Sequence, residues 1–382
     1  MNDFIKGSYG YDLQFLQKYI EPIELVNGNG RVLISGEYQG RVMTTSSNGN
    51  IGASYGWINH GLFDSGEFNE QFNPIGGEER LWLGPEGGQF SVYFKKGDEQ
   101  IFANWVVPKE IDTVPFDLVE KTDEYAKFEK EFLLVNASGI NLNIGINRNV
   151  KILSQIEIEN EFHMNIDPSL EFVAYQSENI LKNTGLIDWN EKDGLLSIWM
   201  LCMFNPSEDG IVFIPFKKGE EKELGKIVTD DYFGKVPSDR LIAKDGIVFF
   251  KTDGKLRSKI GIPPQRALPY CGSYDAKGQV LTILWYSQPD ELSKYVNSVW
   301  GNQDDPLSGD VVNSYNDGPG DDGTVLGPFY EIESSSPAAM LKAGQEIKHT
   351  QRIFHISGDE NQLNIITEKL FNLSVNEIKN IF

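Results

Sequence analysis

Two glutamates two residues apart, Glu331 and Glu333, are the side chains of this chain whose types and spacing could do acid–base chemistry. In a β-strand, side chains at positions i and i+2 point to the same face of the sheet. Two carboxyls held side by side raise the pKa of one of them, which suits a general acid or base. The pattern leaves a structural alternative open, in which one carboxylate is solvated at a sheet edge and the other is salt-bridged.

A glycine-rich stretch at residues 76–94 carries a second group of candidates, Arg80, Trp82 and Glu86. The glycines are typical of a strand, a tight turn and a second strand. No Lys-Ser/Thr pair follows them, which excludes a P-loop. A guanidinium can bind pairs of hydroxyls, and an indole face can pack on the apolar side of a sugar ring. Alternatively, Arg80 forms a structural ion pair with a nearby glutamate.

Histidines and metal-ligand patterns are sparse. The chain has four histidines, and His60, in a polar loop with embedded aromatic residues, is the candidate for a catalytic acid. No group of His, Cys, Asp and Glu has the spacing of a metal site, so we predict neither a metal nor another cofactor. An aspartate-rich turn leaves a calcium site open without the EF-hand pattern; its acidic residues are Asp317, Asp321 and Asp322.

The segment after Glu333 resembles the C-terminal part of aldose 1-epimerases (galactose mutarotases). There, a strand-borne glutamate, which is the catalytic base, precedes a proline-containing loop, a Leu-Lys-Pro-Gly turn and a closing strand. Here Glu333 is followed by Pro337, the turn Leu-Lys-Ala-Gly-Gln-Glu at 341–346 and a strand with His349 and Thr350. The whole chain is similar to an uncharacterised bacterial family of the galactose mutarotase-like group.

The resemblance also implies which residues contact the sugar, namely Arg80, Asn179 and Asp231. The catalytic histidine expected near Asn179 has no counterpart, and a second one is replaced by the run at 103–106, Ala-Asn-Trp-Val. The first hypothesis is therefore a carbohydrate-active isomerase that interconverts sugar anomers by acid–base ring opening. The alternative is a carbohydrate-binding or sensing protein that has lost the epimerase histidines. A polysaccharide hydrolase or lyase is third, by analogy of fold alone.

Bulk composition restricts the partners. The chain has 382 residues, with 34 basic and 56 acidic side chains and a net charge of −22. This charge repels nucleic acid and anionic membranes but does not exclude a monosaccharide or oligosaccharide. Cys202 and Cys271 form no disulfide framework. The N-terminus lacks a secretory pattern, which predicts a cytoplasmic protein, or a periplasmic one if a leader has been removed. The oligomeric state is left open.

Alternating apolar patterns between Gly-, Asn- and Pro-rich separators predict many strands from residue 31 onward. Helical spacing occurs mainly at the ends, in a lead-in within residues 1–25 and in C-terminal helices within 359–382. A further short helix is predicted over residues 289–300. We therefore predict one all-β domain over residues 1–382, built from two large antiparallel sheets packed face to face. The resemblance implies the same fold, a galactose mutarotase-like β-supersandwich.

Overall fold

The computed structural model describes residues 4–320 and 323–382, and strands dominate this part of the chain. Alternating apolar residues and β-branched runs let most of the strands bury one face or both. The strands, numbered β1 to β18, are Ile23–Asn27, Gly30–Ser35, Arg41–Ser46, Arg80–Gly84, Asp117–Lys121, Tyr125–Val135, Asn141–Ile152, Glu171–Asn183, Ser197–Phe204, Gly210–Pro215, Leu241–Lys244, Ile247–Lys251, Ser258–Ile262, Tyr270–Asp275, Val280–Tyr286, Val312–Asn316, Tyr330–Ser335 and Glu346–Ser357.

These strands form three sheets. The ten-stranded sheet has the order β11-β12-β10-β14-β15-β18-β8-β7-β6-β5, and the five-stranded sheet has the order β13-β16-β17-β9-β4. A small sheet, β1-β2-β3, completes the set. Neighbouring strands in all three sheets are antiparallel. The expected all-β class with two large antiparallel sheets is confirmed, and the three-stranded sheet is an addition to it.

Short helices lie on the sheets, and they are numbered α1 to α6: Tyr9–Leu16, His60–Ser65, Gln155–Phe162, Glu221–Leu224, Glu360–Phe371 and Val375–Lys379. The helices expected at the two ends are α1, α5 and α6. Helix α3 lies in the middle of the chain, so the expectation of helices mainly at the ends was incomplete. Its capping box, in which Ser154 and Glu157 bond each other's backbone N–H, was a readable signal. None of the helices in the described residues is long and apolar enough to cross a membrane.

The helix predicted over residues 289–300 is wrong, because this segment has no regular secondary structure. Side chains and the backbone of other segments take the place of the helical hydrogen bonds there. The Gln303 amide donates to the carbonyls of Asn297 and Val299, and the Ser298 hydroxyl accepts from the backbone N–H of Glu86. The segment is therefore held against the turn that follows β4 rather than coiled on itself.

The two large sheets pack face to face, and β17 shows how the layers are built. Tyr330, Ile332 and Ser334 point between the sheets, where the Ser334 hydroxyl donates to Gln351 of β18 at 2.7 Å. Glu331 and Glu333 point to the other side of the five-stranded sheet, away from the ten-stranded one. The period-two alternation of a strand thus gives β17 one core face and one polar face.

Candidate functional site

The outward face of the five-stranded sheet gathers the predicted polar residues. Arg80 on β4 is in register with Leu201 on β9, which pairs with Glu333 on β17. Asn313 on β16 pairs with Glu333 from the other side. Strands lie ~4.8 Å apart, so the Cα atoms of Arg80 and Glu333 are about 10 Å apart, with both side chains on one face. We call this surface the carboxylate face.

Two buried ion pairs cross the carboxylate face. The Arg80 Nη2 donates to Glu331 Oε1 at 3.0 Å. Glu333 Oε2 accepts from Lys259 Nζ at 2.9 Å and from the Trp199 indole N–H at 2.8 Å. Arg80 is 5% exposed and Glu333 is 1% exposed. The alternative of a solvated carboxylate at a sheet edge therefore fails, because both glutamates are buried and paired.

Burial changes the proton affinity of these groups. It raises the pKa of Glu331 to about 7, although the charge of Arg80 opposes the shift. It also raises the pKa of the half-buried Glu86 to about 7, with the Lys259 ammonium acting against it. For Lys259, burial opposes the charged form, but the negative charges of Glu333 and Glu86 outweigh it and raise the pKa. Two carboxyls able to hold or release a proton near neutral pH therefore lie beside a lysine held as a cation.

Aromatic rings surround the Arg80 end of the face. The guanidinium carbon of Arg80 lies 4.2 Å from the ring centroid of Trp82 and 5.7 Å from that of Phe72. Trp82 contacts Trp199 and Trp105, with ring centroids 5.6 and 6.3 Å away. Trp82 and Trp105 are buried, whereas Phe72 is half-buried. The rings give Arg80 cation–π contacts and a dry environment.

The loop at 229–241 reaches the carboxylate face through a residue that the sequence reasoning missed. The Tyr232 hydroxyl donates to Asp310 at 2.6 Å, and its ring lies 5.7 Å from the Lys259 ammonium. Asp231, the residue expected to bind sugar from this loop, is exposed. Successive residues of an extended segment point in opposite directions, so only one of the two can face the site.

Strand β13 leaves space for this contact because it carries a glycine. A Cβ on Gly261 would lie 2.1 Å from the Asp310 carboxylate and 2.5 Å from the Asn313 amide. The Asn313 amide donates to the Tyr232 hydroxyl and to the Ile260 carbonyl. The missing side chain therefore lets a carboxylate and an amide approach the sheet.

Asn179 and His60 do not reach the carboxylate face. Asn179 lies between the large sheets, where its Oδ1 accepts from Arg148 and its amide donates to the Ser177 hydroxyl. His60 begins α2, and its Nε2 lies 2.7 Å from the Asp12 carboxylate. Their charged partners, Arg148 and Asp12, are distant in the sequence, so the local pattern does not reveal these contacts. In this structure neither residue can act together with Glu333.

A cavity of about 800 Å³ lies on the opposite side of the five-stranded sheet. Among its lining residues are Tyr55, His60, Phe204, Ser273, Thr282, Tyr330 and His355. Four of its polar groups are bonded in pairs, since His355 Nδ1 lies 2.8 Å from the Thr282 hydroxyl and the Ser273 hydroxyl lies 2.8 Å from that of Tyr330. The carboxylate face differs, because several of its buried polar atoms have no partner in the described residues.

Lys259 and Trp199 are the other two residues that the sequence reasoning missed. Both lie in segments that the sequence predicts as strands. A lysine inside the otherwise apolar strand Ser258–Ile262 was the available signal, because an inward lysine needs a carboxylate partner.

No group of three metal-ligating side chains occurs in residues 4–320 and 323–382. Of the aspartates considered for calcium, Asp321 and Asp322 lie outside the described residues. Asp317 is buried and accepts from the Tyr315 hydroxyl and the backbone N–H of Gly327. Its two oxygens are thus already engaged by protein donors.

Comparison with known proteins places the chain in a family. Residues 7–382 match the model of a family of unknown function, DUF6786. The chain belongs to this family. No curated protein matches it.

Solved structures give the fold. The Slr1438 protein from Synechocystis sp. PCC 6803 has a TM-score of 0.52 at 10% identity, covering 94% of this chain and 100% of its own. An Escherichia coli K12 protein, provisionally described as an aldose 1-epimerase, has a TM-score of 0.50 at 8% identity, covering 88% of this chain and 98% of its own. A galactose mutarotase-like protein from Lactobacillus casei ATCC 334 has 11% identity, a TM-score of 0.47 and coverages of 88% and 100%. The expected galactose mutarotase-like fold is confirmed; identities this low support no more than the fold.

Proposed function

We propose that this family member is a carbohydrate-active protein that binds a monosaccharide unit on the carboxylate face and interconverts its anomers by acid–base ring opening. The observation that carries the proposal is that three kinds of group converge on one face. They are the carboxyls of Glu331, Glu333 and Glu86, the cations Arg80 and Lys259, and the indoles of Trp82 and Trp199. Sugars are bound by this combination of hydrogen-bonding charges and flat rings. The description of the Escherichia coli protein with the same fold points to the same class of ligand.

In this mechanism Glu333 is the base. Its Oε2 is occupied by Lys259 and Trp199, while Oε1 is buried without a partner in the described residues. Oε1 would take the proton of the anomeric hydroxyl, an acid would protonate the ring oxygen, and the bond between that oxygen and the anomeric carbon would break. The open aldehyde then turns about its C1–C2 bond and recloses by the reverse proton transfers.

Glu86 is our candidate for the acid. Its pKa of about 7 lets it hold a proton at neutral pH, and within the described part of the chain it belongs to none of the ion pairs. Glu331 has a similar pKa but is bonded to Arg80, which suits a residue that orients the guanidinium. Arg80 and Trp82 would contact sugar hydroxyls and the sugar ring. His60, Asn179 and Asp231 have no role in this proposal.

A second function is favoured by one observation. Glu333 is 1% exposed and locked by two donors, which suits a fixed binding group at least as well as a mobile base. The protein would then bind the sugar without converting it, in agreement with the two missing epimerase histidines.

The experiment combines binding with turnover. Thermal shift and calorimetry with a panel of aldoses and their 6-carboxylates identify a ligand, and NMR exchange spectroscopy then measures anomer interconversion. Wild type is compared with Glu333→Gln and Glu86→Gln, and the matched control is Glu178→Gln, a surface carboxyl on β8. We expect Glu333→Gln to lower the exchange rate at least ~100-fold, in the range that general-base catalysis contributes.

Each outcome selects one function. Exchange accelerated by wild type and the control but lost in Glu333→Gln supports the isomerase. Binding without accelerated exchange supports the binding protein. If none of these sugars or acids binds, the carbohydrate assignment falls altogether.

A further inference from the structure

The Arg80 end of the carboxylate face has buried donors in excess. The Nε and Nη1 of Arg80 and the indole nitrogens of Trp82 and Trp105 have no hydrogen-bond partner within the described residues. The three side chains are 5%, 3% and 6% exposed. Two buried carboxylate oxygens near Arg80 also lack a partner in the described residues: Glu333 Oε1 on the same face, and Oδ1 of Asp112, a residue on which the charge of Arg80 acts. A buried donor left unpaired is destabilising, so this arrangement calls for a ligand rich in acceptors.

These donors form one group in space. The Phe72 ring is common to all of them, with its centroid 5.6 Å from that of Trp82, 5.5 Å from that of Trp105 and 5.7 Å from the Arg80 guanidinium carbon. Phe72 is half-buried, whereas the other three side chains are buried. Phe72 is therefore the most exposed member of this group, and a ligand would reach the donors by displacing it.

The chemistry of the donors restricts which class of ligand can bind them. Guanidinium and indole N–H groups donate and do not accept. A sugar hydroxyl that accepts from one of them carries its own hydrogen, which then needs an acceptor in the same buried space. A carboxylate accepts up to about four hydrogen bonds and brings no hydrogen. It matches this donor group better than a neutral hydroxymethyl group does.

We propose that the ligand is an acidic sugar, a pyranose whose ring carries a carboxylate as in the uronic acids. Its carboxylate would meet Arg80, Trp82 and Trp105, and one of its hydroxyls would donate to Glu333 Oε1. This inference rests on the proposed function, because it takes the carboxylate face to be the sugar site. It adds the class of sugar, which neither the fold nor the proposed chemistry specifies.

The proposal predicts a pH signature. The raised pKa values of Glu331 and Glu86, both about 7, mean that these groups lose negative charge as the pH falls from 8 to 6. The charges of Arg80 and Lys259 are then less compensated. A sugar carboxylate, with an ordinary pKa near ~4, stays ionised throughout this range. Affinity for the acidic sugar should therefore rise as the pH falls, while affinity for a neutral hexose should change less.

The experiment uses the full chain and two matched ligand pairs, galacturonate with galactose and glucuronate with glucose. Calorimetry at pH 6 and pH 8 measures each Kd. We expect one uronate to bind at least tenfold more tightly than its neutral partner at pH 6, with a smaller preference at pH 8. Trp105→Phe and Trp82→Phe each remove one N–H and keep a ring, and we expect each to reduce the preference about threefold or more.

A control variant and a folding measurement distinguish loss of the donor group from the general effect of replacing a tryptophan or an arginine. Trp285→Phe removes an indole on the ten-stranded sheet that packs on Arg352, and it should keep the full preference. Arg80→Met should abolish the preference, and circular dichroism would show whether this variant is folded. The two tryptophan variants decide the matter if Arg80→Met does not fold.

A neutral hexose that binds as tightly as its uronate overturns the acidic-sugar inference and leaves the proposed function intact. A uronate preference unchanged in both tryptophan variants also overturns it, because the binding group would then be elsewhere. If no member of either pair binds, the carbohydrate site itself is refuted.

Discussion

Replacing Lys259 with methionine tests whether the carboxylate face is as dry as its contacts indicate. The substitution keeps the length of the side chain and removes the ammonium that lies 2.9 Å from Glu333 Oε2. The side chains of Lys259 and Glu333 are 11% and 1% exposed. Removing one partner of a buried ion pair costs about 3–5 kcal/mol, and the residual exposure of Lys259 places our expectation at the lower end, about 3 kcal/mol.

A double-mutant cycle isolates the pair. Unfolding by urea is followed by circular dichroism for wild type, Lys259→Met, Glu333→Gln and the double variant at pH 7.5. We expect a coupling of about 2 kcal/mol or more, because Glu333→Gln puts a neutral amide where loss of the ammonium would otherwise leave a buried, unpaired charge.

The control for this cycle is an exposed ion pair. Lys294 and Glu191 are separated by 2.7 Å, but their side chains are 64% and 44% exposed. Solvent screens such a pair, so its coupling should be close to zero. If the coupling between Lys259 and Glu333 is as small as that of the control pair, solvent reaches both groups and the reasoning about the buried face is refuted.

Three further predictions follow from the same region. Because the pKa of Glu331 is raised, the folded state holds a proton that the unfolded state releases between about pH 4.5 and 7, and the stability contributed by this group falls as the pH rises through that window. Glu331→Gln should therefore flatten the dependence of the unfolding free energy on pH, and an unchanged pH–stability curve would contradict the raised pKa. Gly261→Ala should lower the free energy of unfolding in urea by about 1–3 kcal/mol, because its methyl group would overlap the Asp310 carboxylate. Gly61→Ala in α2, whose methyl group would lie 3.7 Å from the Asn59 side-chain oxygen, should cause no loss of stability. Asp231→Ala should leave the melting temperature unchanged and Tyr232→Phe should lower it; the reverse order would show that the loop is oriented differently.

The all-β fold was predictable from the sequence because strands carry their own period. Alternation in β17 places Glu331 and Glu333 on one face without any knowledge of the neighbouring strands. The hairpin signal around Arg80 likewise depends on local glycines. The helix predicted over residues 289–300 failed because its hydrogen-bond partners lie outside the segment. The Gln303 side chain donates to the carbonyl of Asn297, and the Ser298 hydroxyl accepts from the backbone N–H of Glu86, 212 positions earlier in the chain.

The candidate site was only partly predictable. Which residues share a face is a local property, but which faces meet is a property of strand order, and β13, β17, β9 and β4 are far apart in the chain. Lys259 was therefore missed as the partner of Glu333, and Asn179 was assigned to a site from which the inter-sheet network of Arg148 separates it. In the loop at 229–241, the choice between Asp231 and Tyr232 depended on which of two consecutive side chains turns inward.

The alternation of β17 has a consequence for how this protein can change over time. Tyr330, Ile332 and Ser334 are bound into the interior, and the intervening glutamates serve the opposite surface. Deletion or insertion of a single residue within this strand would exchange the inward-facing and outward-facing side chains. The two glutamates would then lie in the apolar core between the sheets, and Tyr330 would lie on the face that carries Arg80 and Lys259. Length changes should therefore be absent from β17 among functional relatives, whereas the exposed residues 323–325 before it can vary in number at little cost.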